Sequence, residues 1–211
     1  MTSVLVVDDH PVVLQGCRRL LEDAGFTSVF EAGDSTAGYE LFCRHQPDVV
    51  IVDLAMRENG LAGLSLVERI NSRDPRAHII VLSMHRDPTI VAHALKAGAN
   101  GYVLKDTATE ELLHAIRTIQ QGSSYLSRDL ALQVALAGAS SPRSPLAELT
   151  PRELETLSLL AAGKSYSSIA EELKVSYKTV VNTASQLKRK LDAGSLPALA
   201  QKAAQLLAAP Q

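Results

Sequence analysis

Val4-Leu5-Val6-Val7-Asp8-Asp9, at the head of a 211-residue chain, sets four apolar residues directly before two carboxylates. A short run of this composition reads as a buried strand. The arrangement returns three times: Val49-Val50-Ile51-Val52 before Asp53, Ile79-Ile80-Val81-Leu82 before Ser83, and Gly101-Tyr102-Val103-Leu104 before Lys105. Helical patterns lie between the runs. The spacing predicts strands near 3–7, 28–32, 48–53, 78–83 and 100–104, with helices near 11–24, 34–45, 63–73, 88–97 and 108–121. Thr107, with Glu110 three residues on, reads as the start of the last of these helices. Such alternation implies a doubly wound, five-stranded parallel α/β sheet with helices on both faces. The carboxyl ends of its strands share one edge, where ligands bind. Asp8, Asp9, Asp53, Ser83 and Lys105 are therefore expected together.

That set has a definite chemistry. Three carboxylates at one place repel one another unless a cation sits among them, and oxygen ligands of this kind suit Mg²⁺. Asp53 is the candidate nucleophile, since a carboxylate can accept a phosphoryl group as a mixed anhydride. Asp8 and Asp9 would hold Mg²⁺, directly or through water, and the backbone carbonyl of Ala55 would add an oxygen. Lys105 would pair with a phosphate oxygen or with Asp53, and Ser83 would hydrogen-bond the phosphate. Taken singly, each residue has a plainer reading as a turn, a cap or a surface charge. Their joint placement on one sheet edge favours the phosphate site.

The composition is that of a globular protein, with 46% hydrophobic and 21% charged residues. No apolar stretch reaches the length of a membrane span and no signal-peptide pattern opens the chain, so a cytoplasmic location without membrane contact is expected. Cys17 and Cys43 lack metal-type spacing and are expected to be reduced and partly buried. The net charge of -2 conceals an asymmetry: residues 1–130 hold 12 Lys+Arg against 17 Asp+Glu, whereas residues 131–211 hold 9 against 6. An acidic front and a basic back imply different partners.

The composition changes at Gly138-Ala139-Ser140-Ser141-Pro142-Arg143-Ser144-Pro145, a linker by its residues. Residues 126–137 fit either a short helix or part of the tether. The division expected is 1–125, a connecting segment 126–146, and 147–211. In the tail, Thr150-Pro151-Arg152-Glu153 is a capping box with proline at the first helical position, and Gly163 ends that helix. A second helix opens near Ser165. Val175-Ser176 makes a tight break, a third helix runs from about Tyr177 to Leu191, and a fourth spans roughly 196–208. This order is a helix-turn-helix pattern in a small all-α domain.

Over residues 3–122, the motifs Val7-Asp8-Asp9-His10-Pro11, Val52-Asp53-Leu54-Ala55-Met56, Leu82-Ser83-Met84-His85 and Gly101-Tyr102-Val103-Leu104-Lys105 resemble the receiver domain of two-component response regulators. The resemblance implies a flavodoxin-like sheet of order 2-1-3-4-5 and phosphorylation of Asp53 by a sensor histidine kinase. It also implies a Ser83 hydroxyl that moves to the phosphate and a Tyr102 switch that turns inward. One departure stands out. Met56 is followed by Arg57-Glu58-Asn59-Gly60-Leu61-Ala62-Gly63, without the family's proline and about two residues longer.

From 147 to 208 the chain resembles the LuxR-type (NarL/FixJ) helix-turn-helix, on Leu149-Thr150-Pro151-Arg152-Glu153-Leu154, Ile169-Ala170-Glu171-Glu172-Leu173, Val175-Ser176-Tyr177-Lys178-Thr179-Val180 and Lys188-Arg189-Lys190-Leu191. That resemblance implies binding to double-stranded promoter DNA, with Lys178, Thr179, Val181, Asn182, Ser185, Lys188 and Arg189 as contact candidates. Lys164, Lys174 and Lys190 would add positive charge against the backbone. Val181, Thr183 and Ser185 depart from the more basic family pattern, as does Tyr166-Ser167-Ser168 in the preceding helix. The expected function is a regulator whose phosphorylation switches homodimerisation and promoter binding. Leu196, Leu199, Ala203, Leu206 and Leu207 of the last helix would either pair two copies or pack on their own domain, with relatives favouring pairing. A protein-binding regulator with a degenerate helix-turn-helix is the alternative. An enzyme reading, a haloacid-dehalogenase-type phosphatase, fails because Ala55 stands where its acid/base carboxylate is needed.

Overall fold

The computed structural model describes residues 2–56, 60–140 and 144–207. Its N-terminal half alternates β1 (Ser3–Val7), α1 (Pro11–Asp23), β2 (Ser28–Ala32), α2 (Ser35–His45), β3 (Val49–Val52), α3 (Ala62–Arg73), β4 (His78–Ser83), α4 (Pro88–Ala97), β5 (Gly101–Leu104) and α5 (Ala108–Gln120). The strands are parallel in the order β2-β1-β3-β4-β5, and a sixth, β6 (Tyr125–Leu126), adds to the far side of β5. Two residues carry no readable periodicity, so the sequence predicts five strands only. The short strand is held by its register with Gly101 and Tyr102 and by the Tyr125 amide on the Asn100 carbonyl at 2.9 Å.

Every residue of β3 and β5 is buried, as expected of strands covered on both faces. One face packs α1 and α5 against Val4, Val6, Val49 and Ile51, with Cys17 and Leu21 among the buried residues. The other face packs α2, α3 and α4 against Leu5, Val7, Val50 and Val52. Cys17 is buried and its thiol pKa is pushed up to about 11, chiefly by desolvation and next by the Asp8 charge. Cys43, expected to be partly buried, is exposed, because it lies on the outer side of α2; both cysteines are free. Thr107 does precede α5, but its hydroxyl faces the Leu104 carbonyl (3.0 Å) and the Glu111 carboxylate (2.8 Å) and does not cap the helix.

Residues 128–140 form a helix, α6 (Arg128–Ser140), which settles the choice between helix and tether for this stretch. It lies on α4, with Leu130 buried and Val134 half-buried. A 3-10 turn, Pro145–Glu148, follows and buries Leu146 on α4. There the Leu146 carbonyl accepts a hydrogen bond from Nε2 of buried His93 at 2.8 Å. The chain thus wraps α4 on its way to the C-terminal helices α7 (Pro151–Ala161), α8 (Tyr166–Glu172), α9 (Tyr177–Lys190) and α10 (Leu196–Leu207).

The reciprocal bonds of the Thr150 capping box start α7. Gly163, at φ 76°, ends it in the left-handed conformation that glycine adopts without strain. Ser165 and Ser176 cap α8 and α9. Helix α7 packs between α10 and α3, so one apolar core runs from the sheet through α3 into the C-terminal bundle. Leu199 and Ala203 of α10 are fully buried in this chain's own core, with Leu206 and Leu207 half-buried beside it. Of that set, only Leu196 is exposed and open to a second copy.

Candidate functional site

The parallel register delivers the predicted residues to one edge. Asp8 follows β1, Asp53 follows β3, Ser83 ends β4 and Lys105 follows β5. Lys105 Nζ lies 2.8 Å from Asp53 Oδ2 and 2.7 Å from Asp8 Oδ2, bridging two carboxylates whose side chains are each 2% exposed. Ligand atoms of Asp8, Asp9, His10 and Asp53 all lie within 4.8 Å of one another. An acidic pocket of this kind fits a hard divalent cation, since three of its four donor residues supply carboxylate oxygens already gathered by the fold.

The electrostatics follow from burial. Desolvation raises the Asp53 pKa above the usual carboxylate value, partly offset by the hydrogen bond and charge of Lys105, with the Asp8 charge adding to the rise. Burial works against the charge on Lys105, but the bonds to Asp53 and Asp8 hold its pKa above the ordinary lysine value. The Ala55 amide donates to Asp53 Oδ1 at 3.2 Å and fixes the carboxylate. Ser83 is fully buried and accepts from the His85 amide at 3.3 Å. Tyr102 is also fully buried, in the inward position, with its hydroxyl 2.8 Å from the His85 carbonyl.

Two histidines join the site without having been singled out from the sequence. His10 Nδ1 lies 3.1 Å from Asp8 Oδ1 and 2.9 Å from Asp9 Oδ1. Its place directly after the Asp-Asp pair was the available signal. His85 lies on the β4–α4 loop, where desolvation lowers its pKa against the opposing pull of Asp53 and Asp87. Arg57, Glu58 and Asn59 of the lengthened loop lie outside the described residues.

In the C-terminal bundle, Lys178, Thr179, Asn182, Ser185 and Arg189 are exposed on α9, while Val181 and Lys188 are half-buried. The Ser185 hydroxyl donates back to the Val181 carbonyl at 2.9 Å, and the Thr179 hydroxyl pairs with the Ser176 cap at 2.8 Å. Three of the six expected cations are spoken for. Lys190 is held by Glu153 (2.7 Å) and the Glu148 carbonyl (3.1 Å), Lys164 by Glu172 (2.6 Å) and Lys174 by the Thr36 hydroxyl (3.1 Å). Lys178, Lys188 and Arg189 make no ion pair among the described residues and form the positive part of the helix.

No helix among the described residues is long and apolar enough to cross a membrane. Residues 4–117 match the response regulator receiver domain, and residues 147–203 match the bacterial regulatory proteins of the luxR family. The chain is 38% identical over 200 residues to the methanol utilization control regulatory protein MoxX of Paracoccus denitrificans, covering 95% of this chain and 90% of that one. It is 36% identical over 185 residues to the response regulator UvrY of Escherichia coli, covering 85% and 83% of the two chains. Among solved structures, RcsB of Salmonella typhimurium matches with a TM-score of 0.74 and 31% identity over 99% of this chain and 100% of that one. RcsB bound to promoter rprA in the presence of the phosphomimetic BeF3⁻ matches with a TM-score of 0.71 and 30% identity, covering 96% and 98%. With both halves matched in order and near full-length relatives above 30% identity, the chain belongs to the two-component response regulators of the NarL/FixJ family, transcription regulators and not enzymes, in which a receiver domain precedes a LuxR-type helix-turn-helix domain.

Proposed function

We propose that this chain is a cytoplasmic transcription regulator in which residues 1–125 receive a phosphoryl group on Asp53 and residues 147–211 bind double-stranded promoter DNA, joined by 126–146. The observation that carries the reading is the Lys105 ammonium held between Asp53 and Asp8 at 2.8 and 2.7 Å. A buried carboxylate beside a fixed cation and further carboxylates is built to take up an anionic group, because Lys105 can stay with a phosphoryl oxygen after transfer. A carboxylate oxygen of Asp53 forms the new O–P bond as the P–N bond to a sensor kinase phosphohistidine breaks, and the imidazole leaves. Asp8, Asp9, Asp53 and the Ala55 carbonyl are the residues that would hold Mg²⁺, which supplies charge neutralisation for the transfer. Ser83 would donate to the phosphoryl group, and Tyr102, buried like Ser83, would act as the switch residue.

On the DNA side, Lys178, Thr179, Val181, Asn182, Ser185, Lys188 and Arg189 form the reading surface, with Asn182 suited to an adenine edge. With half of the expected cations engaged inside the fold, a single copy binds weakly and the phosphorylated homodimer binds better. The test treats wild type and Asp53→Ala with a small phosphodonor and Mg²⁺, then reads mass, light scattering and DNA affinity. Gain of phosphoryl mass, dimerisation and tighter binding by wild type alone supports the reading. Phosphorylation with unchanged mass distribution and DNA affinity points instead to a protein partner and a helix-turn-helix that no longer reads DNA.

A further inference from the structure

The first helix of the C-terminal bundle reaches the loop that carries Asp53. Ser158 Oγ, on α7, accepts the Leu61 amide hydrogen at 3.1 Å and donates to the Glu155 carbonyl at 2.8 Å. Leu61 is 1% exposed and Ser158 is 2% exposed, so the Leu61 amide has no access to water as an alternative partner. Two residues on, Gly63 donates its amide hydrogen to the Leu54 carbonyl at 3.2 Å. Gly63 is pressed against the backbone of Asp53, where an added Cβ would lie 2.1 Å from the Asp53 carbonyl oxygen. Leu61 and Gly63 therefore lie between the Ser158 hydroxyl and the backbone of Asp53 and Leu54. A turn further, Ser65 donates to the Glu155 carboxylate at 2.8 Å. The same carboxylate takes Arg152 at 2.6 Å, and Arg152 donates to the Leu173 carbonyl at 2.7 Å, just before the turn into α9.

We infer that Ser158 is a positioning residue for the phosphoacceptor backbone: the hydroxyl holds Leu61, Gly63 two residues on sets the backbone of Asp53 and Leu54, and the docked bundle thereby speeds phosphorylation of Asp53. This rests on Asp53 being the phosphoacceptor. A misplacement of about 1 Å at a reacting group can cost about a hundredfold in rate, and Gly63 lies against Asp53 and Leu54, directly before Ala55. The side chains of Lys178, Asn182, Ser185 and Arg189 stay exposed in the docked arrangement, so docking does not bury the reading surface.

The test follows phosphoryl mass gain with time in the full chain, using acetyl phosphate and saturating Mg²⁺. Ser158→Ala is expected to slow the reaction at least threefold, and Ser158→Thr, which keeps the hydroxyl, to return it to within twofold of wild type. Thr36→Ala removes the hydroxyl that Lys174 contacts at 3.1 Å and is expected to leave the rate unchanged. In wild type, the Leu61 amide is expected among the slow-exchanging hydrogens, a reading that needs no variant to fold. Equal rates for wild type and Ser158→Ala, equal slowing by Thr36→Ala, or fast exchange at Leu61 each overturn the inference. A wild type that takes up no phosphoryl group removes the phosphoacceptor reading, and this inference with it.

Discussion

The Tyr102 hydroxyl donates to the His85 carbonyl at 2.8 Å, tying the middle of β5 to the loop that follows Ser83. Tyr102 is fully buried, and desolvation foremost raises its phenol pKa, against a smaller opposing contribution from the Ser83 hydroxyl. The ring fills the core while its one polar atom pins the β4–α4 loop. Tyr102→Phe keeps the ring and loses the bond. It is expected to lower stability by about 1 kcal/mol, measured by urea denaturation, and to speed amide exchange in residues 84–87.

Lys105 is the counter-charge for two buried carboxylates. Lys105→Met leaves Asp8 and Asp53 facing each other without it, and removing one partner of a buried ionic group costs about 3–5 kcal/mol. The same change removes a positive charge from a candidate cation pocket, so Mg²⁺ is expected to bind more tightly and to recover more of the lost stability than it adds to wild type. Calorimetric titration and thermal melts with and without Mg²⁺ check both. A variant whose Mg²⁺ affinity is weaker than wild type contradicts the charge argument.

Gly63 is where α3 meets the backbone at the end of β3, beside Asp53 and Leu54. A Cβ at this position would fall 2.1 Å from the Asp53 carbonyl oxygen and 2.6 Å from Leu54 Cα, both backbone atoms that cannot swing aside. Gly63→Ala is expected to cost at least about 1–3 kcal/mol as the loop is pushed off the strand, and to slow phosphorylation in proportion. Gly33→Ala, with nothing within 4 Å of the added atom, serves as the tolerated comparison.

Glu153 closes the capping box of α7 and also binds Lys190. Burial raises its pKa, but the Lys190 bond at 2.7 Å and the Thr150 amide bond at 2.8 Å outweigh that, leaving it below the usual glutamate value. A carboxylate depressed on folding adds stability that is present above its unfolded pKa and lost as pH falls through the folded one. Glu153→Gln is therefore expected to cost about 1.5–3 kcal/mol near pH 7. The gap to wild type should shrink once pH drops below the unfolded value of 4.5. Denaturation curves at pH 7 and pH 4 decide it; a gap that does not shrink assigns the effect to packing.

The grouping of Asp8, Asp53, Ser83 and Lys105 was legible because each directly follows, or ends, an apolar run, and parallel strands place such positions on one edge. Asp53 and Lys105, 52 positions apart in the chain, needed no other information to meet. The start of α7 was legible for a different reason: Thr150 and Glu153 satisfy each other within four residues. Features built on distant partners were not. The pairing of Leu61 with Ser158 spans 97 positions and that of Ser65 with Glu155 spans 90, and nothing local marks either serine. Lys190 read as one more cation of a basic helix, while its partner Glu153 read only as a cap. Helix α6 stayed ambiguous because Leu132 and Leu136 point outward while Leu130 and Val134 pack, so its apolar residues do not mark a single face.

The two outer strands leave the sheet poorly suited to recruit another. On one side β6 offers only Tyr125 and Leu126, too little backbone to template a further strand. On the other, β2 carries Glu31, whose carboxylate is held by Arg18 of α1 at 2.8 Å, placing a charged pair at that border. Edge-to-edge association at high concentration is therefore expected to be disfavoured, and lengthening the β6 ladder with β-branched residues is expected to promote it.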